Sequence, residues 1–394
     1  MRPRNLIFVL GLSVLAAWLL VATCARVPEP GDPISGLSKD ERMRFEAGRA
    51  RFDVVFAPES GLGPLFNSES CGECHENPVA GGTGDEVETH VGAYLGNTCD
   101  LLAHEGGPVV QQHATPALNH AMGIDREPMP PGATGTALRT TPDVFGLGLI
   151  DAVPDSTILA LADADDRNGD GISGRPNRFL DGRIGRFGRK AFVPTLSEFN
   201  QGAFVAEQGI TNPAVLTEET IGGGAIPPGV DPTPEPEIDR ETLDMIDDFV
   251  HFLAPPSPLK LSAAGRRGKI VFYKIGCQSC HVPTLFTGNY RIKALRYRTV
   301  DAYSDLLLHD MGPDLADICF GEATPSEFRT EPLMGLRFSE DIEGGKPRFL
   351  HDGRAPSIED AVRLHGGEAK PTRERFTALS EADRSALLEF LRSL

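Results

Sequence analysis

Behind Arg2 and Arg4 the chain is apolar from Leu6 to Ala22, the order that marks an export signal rather than a folded element. Residues 1–25 are assigned to that signal. Leu20-Val21-Ala22-Thr23-Cys24 reads as a lipoprotein processing site with Cys24 acylated; cleavage after Ala25 and retention as a membrane anchor are the alternatives. Each route places the remainder in the periplasm or otherwise outside the cytoplasmic membrane. Further on, apolar positions recur at helical spacing in two places: Leu243, Ile246, Val250 and Leu253, then Leu387, Leu388, Leu391 and Leu394.

These stripes close two halves that repeat one another. Each half opens with a stretch predicted helical that carries a Gly-xxx-Phe step, Gly48 to Phe52 and Gly268 to Phe272. Each then has Cys-x-x-Cys-His, at Cys71 to His75 and at Cys277 to His281. Each later has an Arg-Thr-x-Pro segment leading to Gly-Leu, from Arg139 to Leu147 and from Arg329 to Leu336. Pro255, Pro256 and Pro258 end the first half, because consecutive prolines forbid a continuing helix. The pattern predicts a mainly α fold with long loops, in two tandem units at residues 37–254 and 259–394. The first unit is longer, with insertions after Phe52 and Leu147 and a Gly- and Pro-rich loop from Gly222 to Glu237.

With 394 residues, 40 % of them hydrophobic and 24 % charged, the chain is long enough for two domains. Its 43 Gly and 32 Pro agree with much loop. A net charge of -18 argues against nucleic acid as a partner and otherwise serves solubility.

Of seven cysteines, Cys24 falls in the signal and four fall in the repeated motifs. Two thiols separated by two residues can form thioethers with the vinyl groups along one porphyrin edge, and the adjoining imidazole can reach the iron. A single such motif also suits zinc or a redox dithiol. Two copies, one per repeat and behind an export signal, favour haem. Cys71, Cys74 and His75, with Cys277, Cys280 and His281, are therefore expected to hold two covalently bound c-type haems in cytochrome c-like domains. Cys99 and Cys319 are left over; they either pair, tying the halves together, or stand as separate buried thiols.

Gly146 to Ala152, Asp166 to Arg178, Leu307-Leu308-His309-Asp310-Met311-Gly312 and Leu350-His351-Asp352-Gly353-Arg354-Ala355 resemble the di-haem oxidoreductase family, whose members are labelled peroxidases or thiol oxidoreductases. The resemblance spans residues 37–394. More distantly the chain is similar to bacterial di-haem cytochrome c peroxidases, which share the tandem layout and the His-Asp-Gly segment. This implies redox chemistry at two inequivalent haems, a redox partner protein as electron donor or acceptor, and a small oxidant, peroxide first among candidates.

In those peroxidases the distal ligand of the C-terminal haem lies about four helical turns beyond His-Asp-Gly and is usually Met. The same distance from His351 reaches His365, so the resemblance implies a bis-histidine second haem, unless His365 simply ends a surface helix. Met311 is the competing ligand. The first half has no matching histidine, so its iron is either open or takes a ligand from elsewhere. His90, His104, His113 and His120 follow the first motif; His113 is best placed by resemblance, with Glu105 as a proton shuttle. The single Trp, Trp18, lies in the signal, and Phe145 and Met334 stand where the family usually has Trp. Electrons between haems would then tunnel directly or pass through Tyr94 or Tyr303.

Asp166, Asn168 and Asp170 followed by Gly171 have the alternation of a calcium loop, although Asn177 replaces the expected Glu at the twelfth position. Plain turns use the same residues. Three functions fit: a peroxidase-like di-haem oxidoreductase, an electron carrier with both haems six-coordinate, and a redox accessory in metal uptake. An acidic surface suits docking to a basic partner.

Overall fold

The computed structural model describes residues 28–218, 220–340, 342 and 346–394; Cys24, Trp18 and the rest of the signal lie outside them. Helices α1 (Lys39–Phe52), α2 (Leu147–Asp151), α3 (Leu196–Gln208) and α4 (Arg240–Phe252) belong to the first half. Helices α5 (Ala263–Ile275), α6 (Ile358–Leu364), α7 (Lys370–Thr377) and α8 (Glu381–Leu391) belong to the second. Ser38 and Glu41 open α1 with reciprocal bonds to each other's backbone N–H, and Ser262 caps α5 through Gly265 N.

The repeated Gly-xxx-Phe steps are helix crossings. Gly48 of α1 meets α4 so closely that a Cβ would lie 2.1 Å from Met245 O. At Gly268 of α5 it would lie 1.9 Å from Ala386 O of α8. One turn on, Phe52 packs on Phe249 and Phe272 packs on Phe390, with ring centroids 4.9 Å and 5.5 Å apart. Both apolar stripes are buried at these crossings.

Helix accounts for 34 % of the described residues and strand for 14 %, so the expectation of a mainly α chain overstates the helix. The described strands are β1 (Leu65–Phe66), β2 (Val87–Leu95), β3 (Thr98–Asp100), β4 (Val109–Val110), β5 (His113–Ala114) and β6 (Gly135–Thr140). They continue with β7 (Leu285–Phe286), β8 (Thr299–Val300), β9 (Leu308–Asp310) and β10 (Glu327–Arg329). Central β2 pairs antiparallel with β3, β4 and β6, while β1–β5, β7–β8 and β9–β10 form separate pairs. Gly96 and Asn97, both at positive φ, turn β2 into β3.

The core does not divide at Pro255–Pro258. Phe45, Phe52, Phe249 and Phe252 share one apolar cluster with Leu285, Leu295, Leu306 and Leu307 from beyond the prolines. Proline stops a helix locally but does not decide which apolar surfaces meet. A second cluster gathers Phe272, Phe376, Leu387 and Phe390 around α5 and α8. Cys99 of β3 and Cys319 form a disulfide across 220 positions, which closes that open question in favour of pairing.

Candidate haem sites

Each Cys-x-x-Cys-His borders its own cavity. The first, of about 290 Å³, is lined by Cys71, Cys74 and His75 with Phe52, Phe187, Leu196, Phe204 and Val250. Ser70 caps the short turn that carries the thiols, its hydroxyl accepting from Glu73 N, and His75 N donates to Cys71 O. His75 Nδ1 lies 3.1 Å from Gly82 O, which leaves Nε2 for a metal.

The second cavity, of about 240 Å³, is lined by Cys280, His281, His309, Met311, His351 and His365, with Cys277 one turn back at the end of α5. Two imidazoles here have the same arrangement. His281 Nδ1 is 2.9 Å from Tyr303 O, and His365 Nδ1 is 2.7 Å from Ala361 O at the end of α6. Burial, together with the nearby His365, pulls His281 down to about 4, and burial lowers His75 and His365 as well. Iron needs neutral imidazoles. Burial likewise pushes the Cys71 and Cys277 thiols up to about 12.

The two Arg-Thr-x-Pro repeats build a wall shared by both cavities. Thr140, Thr141, Pro142, Asp143, Arg189, Arg329 and Glu331 line one cavity on one side and the other on the other. Glu331 Oε2 accepts from Arg329 Nη2 at 2.7 Å and lies 3.1 Å from Arg189 Nη1. Burial pushes this carboxyl up, but the two guanidiniums outweigh it and hold Glu331 down at about 2. Burial, with Glu331 beside it, raises Asp143 to about 7. Behind the wall, Asp317 lies 2.5 Å from Arg139, 3.1 Å from Lys190 and 3.4 Å from His351. Arg329 Nε is buried and has no hydrogen-bond partner among the described residues. An unused guanidinium N–H at the edge of both cavities suits a haem propionate. Thiols at each rim, apolar walls, free imidazole nitrogens and this orphaned donor all fit haem.

His113 and Glu105 do not line either cavity, which corrects their expected catalytic placing. His113 sits exposed on β5 against Phe66, because the β1–β5 pairing turns its ring away. Glu105 accepts from Gly132 N in a separate loop. Of the four loop histidines, His90 reaches the first cavity, carried there by β2, with Nε2 3.0 Å from Glu88 Oε2. Burial raises Glu88, but the bond to His90 and the charge of His90 bring the net shift below the usual carboxylate value. The alternation of β2 was the available signal for this pair.

His309 was visible only as part of a motif. Its Nε2 lies 2.9 Å from Asp305 Oδ2 and its Nδ1 2.8 Å from Glu368 Oε2. A ring between two carboxylate acceptors must carry both protons. Burial alone would pull it down; bonds to Asp305, Cys280 and Glu368 push it up to about 12. Cys280, Asp305 and His309 bring ligand atoms within 4.8 Å of one another, but a doubly protonated ring has no lone pair for a cation. Glu368 also accepts from the Ser173 hydroxyl at 2.7 Å and from its N–H at 3.0 Å. The carbonyl of Met311 packs on Gly366, so Met311 braces the turn after His365.

Asp166, Asn168 and Asp170 turn inward to accept backbone N–H groups of Gly171, Asp170 and Ile172. These Asx-type bonds are those of a plain turn.

Paired cavities of this make, joined by one wall, are the frame of a di-haem protein. The family model described as "Di-haem oxidoreductase, putative peroxidase" matches residues 134–394, most of the chain, and the chain belongs to that family. No match was found among curated protein sequences. Among solved structures, a Kuenenia stuttgartiensis hydrazine synthase pressurised with 20 bar xenon is similar over 100 % of both chains, at 13 % identity and a TM-score of 0.42. A MauG-like protein associated with microbial copper homeostasis is similar over 94 % of this chain and 93 % of its own, at 15 % identity and a TM-score of 0.41.

Proposed function

We propose that the protein is an exported di-haem c-type oxidoreductase of the peroxidase kind, in which electrons enter at the second haem and a small oxidant, peroxide first, is reduced at the first. The observation that carries this is the inequality of axial donors. The second cavity holds two imidazoles whose Nδ1 bonds a backbone carbonyl and leaves Nε2 for iron, His281 and His365, beside His351, whose Nε2 faces Asp317; in the first cavity His75 alone has that arrangement. A closed iron stores an electron; an open one meets substrate.

In this reading Cys71, Cys74, Cys277 and Cys280 form the thioethers, one haem to each module at residues 37–254 and 259–394. Haem iron supplies the redox couple and the position at which an O–O bond breaks. Reducing peroxide to water consumes as many protons as electrons, and Glu88 Oε2 with His90 Nε2 holds a proton at the first cavity. The Cys99–Cys319 disulfide suits an oxidising compartment, in keeping with the export signal and a lipid anchor at Cys24.

The oxidised holo-protein should show one high-spin and one low-spin haem, and His365→Ala should convert the low-spin signal to high-spin. Two low-spin haems and no response to peroxide would sink the enzyme reading. They would favour an electron carrier in which His90 leaves Glu88 and closes the first site, as its place in that cavity allows.

A further inference from the structure

Overall charge points to a basic partner, yet the charge beside the second haem is the reverse. From Leu259 to Val300, a segment that includes α5 and the second Cys-x-x-Cys-His, there are nine Lys or Arg and no Asp or Glu, in a chain of net charge -18. On α5 the residues Gly268, Val271, Phe272 and Ile275 are buried toward α8, and the opposite face is left to solvent. That face carries Arg266, Lys269 and Lys274, with Ile270 68 % and Tyr273 43 % exposed among them. Arg267 is paired with Asp383 at 2.8 Å, whereas Arg266, Lys269 and Lys274 form no salt bridge among the described residues; Arg266 Nη1 donates to Leu261 O at 2.9 Å, and the charge of Lys274 adds to the Arg267 bond in lowering Asp383. Arg375 of α7 adds a cation at the haem end. Its Nε donates to Ile275 O at 2.7 Å, and its guanidinium packs on Gly276, next to Cys277.

We propose that the outer face of α5, with Arg375, is the docking surface for an acidic one-electron carrier protein. This rests on the second haem being the electron-accepting one. Three cations free of salt bridges around two exposed apolar side chains match the makeup of a transient redox interface: charge steers the encounter, and Ile270 and Tyr273 exclude water at contact. The surface ends at the thioether edge, where tunnelling distance is shortest. In the step itself the carrier is oxidised by one electron and the second haem iron goes from ferric to ferrous; no bond or proton moves. An anionic membrane would also attract these cations, but the patch leads up to the attachment site of the second haem at Cys277, which favours an electron carrier.

The surface works in either direction, so the fully reduced holo-protein can be mixed with oxidised plastocyanin, an acidic blue-copper protein, or with ferricytochrome c, a basic one, while the low-spin haem is followed. The plastocyanin rate should fall steeply with added salt. In Arg266→Glu/Lys269→Glu/Lys274→Glu it should drop about ten-fold at low ionic strength and lose that slope, while the ferricytochrome c rate holds or rises. Lys274→Glu alone should give a smaller change in the same sense, which serves if the triple variant folds poorly. Arg126→Glu, on the first half, should leave both rates unchanged. An unchanged salt slope in the variants, or a faster wild-type reaction with ferricytochrome c, overturns the proposal. So does loss of phosphatidylglycerol-vesicle binding in the variants with no change in the plastocyanin rate. The spin-state spectrum reads the haem assignment separately, so a wrong docking face and a wrong electron-accepting haem give different results.

Discussion

His309 shows how one protonated ring can position an imidazole it does not touch. Clamped between Asp305 and Glu368, it fixes the turn that follows His365. Glu368→Gln keeps an acceptor but removes the charge-assisted bond, which should cost about 1.5–3 kcal/mol. Low-spin absorbance of the second haem should then be lost at lower temperature than in the wild type; an unchanged melting curve would remove this role. Glu331 gives the matching pH dependence. Its carboxyl is held at about 2 against an ordinary 4.5, so its contribution is complete above pH 4.5 and disappears as pH falls toward 2. Thermal denaturation across that window should show a stability loss that Glu331→Gln flattens.

At the scale of elements, each helix pair depends on a glycine at closest approach. Gly48→Ala and Gly268→Ala each force a methyl group against a backbone carbonyl, and each should destabilise by about 1–3 kcal/mol or more, read as a lower urea midpoint with the same slope. These crossings were legible in the chain, because the Gly-xxx-Phe steps and the apolar stripes are local periodic signals. The rims of both cavities were legible for the same reason, and His365 lines the cavity that the distance from His351 indicated. Strand β2 was written just as locally, in the alternation from Val87 to Leu95 and the Gly96-Asn97 turn. What could not be read was pairing at a distance. Nothing local tells that His113 pairs away from the first cavity while His90 reaches it. Nor does it tell that Arg189 would join Glu331, or that Leu306 and Leu307 would complete the core around Phe249.

Over the whole molecule, the Cys99–Cys319 link closes the longest loop. Cys99→Ser with Cys319→Ser should cost about 2–5 kcal/mol, seen as a denaturation midpoint equal to that of the wild type under reductant. The partition made by the Arg-Thr-x-Pro repeats has a different consequence. A single sheet of residues serves as the back of both chambers, so filling one chamber stiffens the boundary of its neighbour and lowers the ordering cost of the second filling. Maturation should therefore be close to all-or-none, with singly loaded protein scarce in the mass spectrum even when the cofactor supply is limiting.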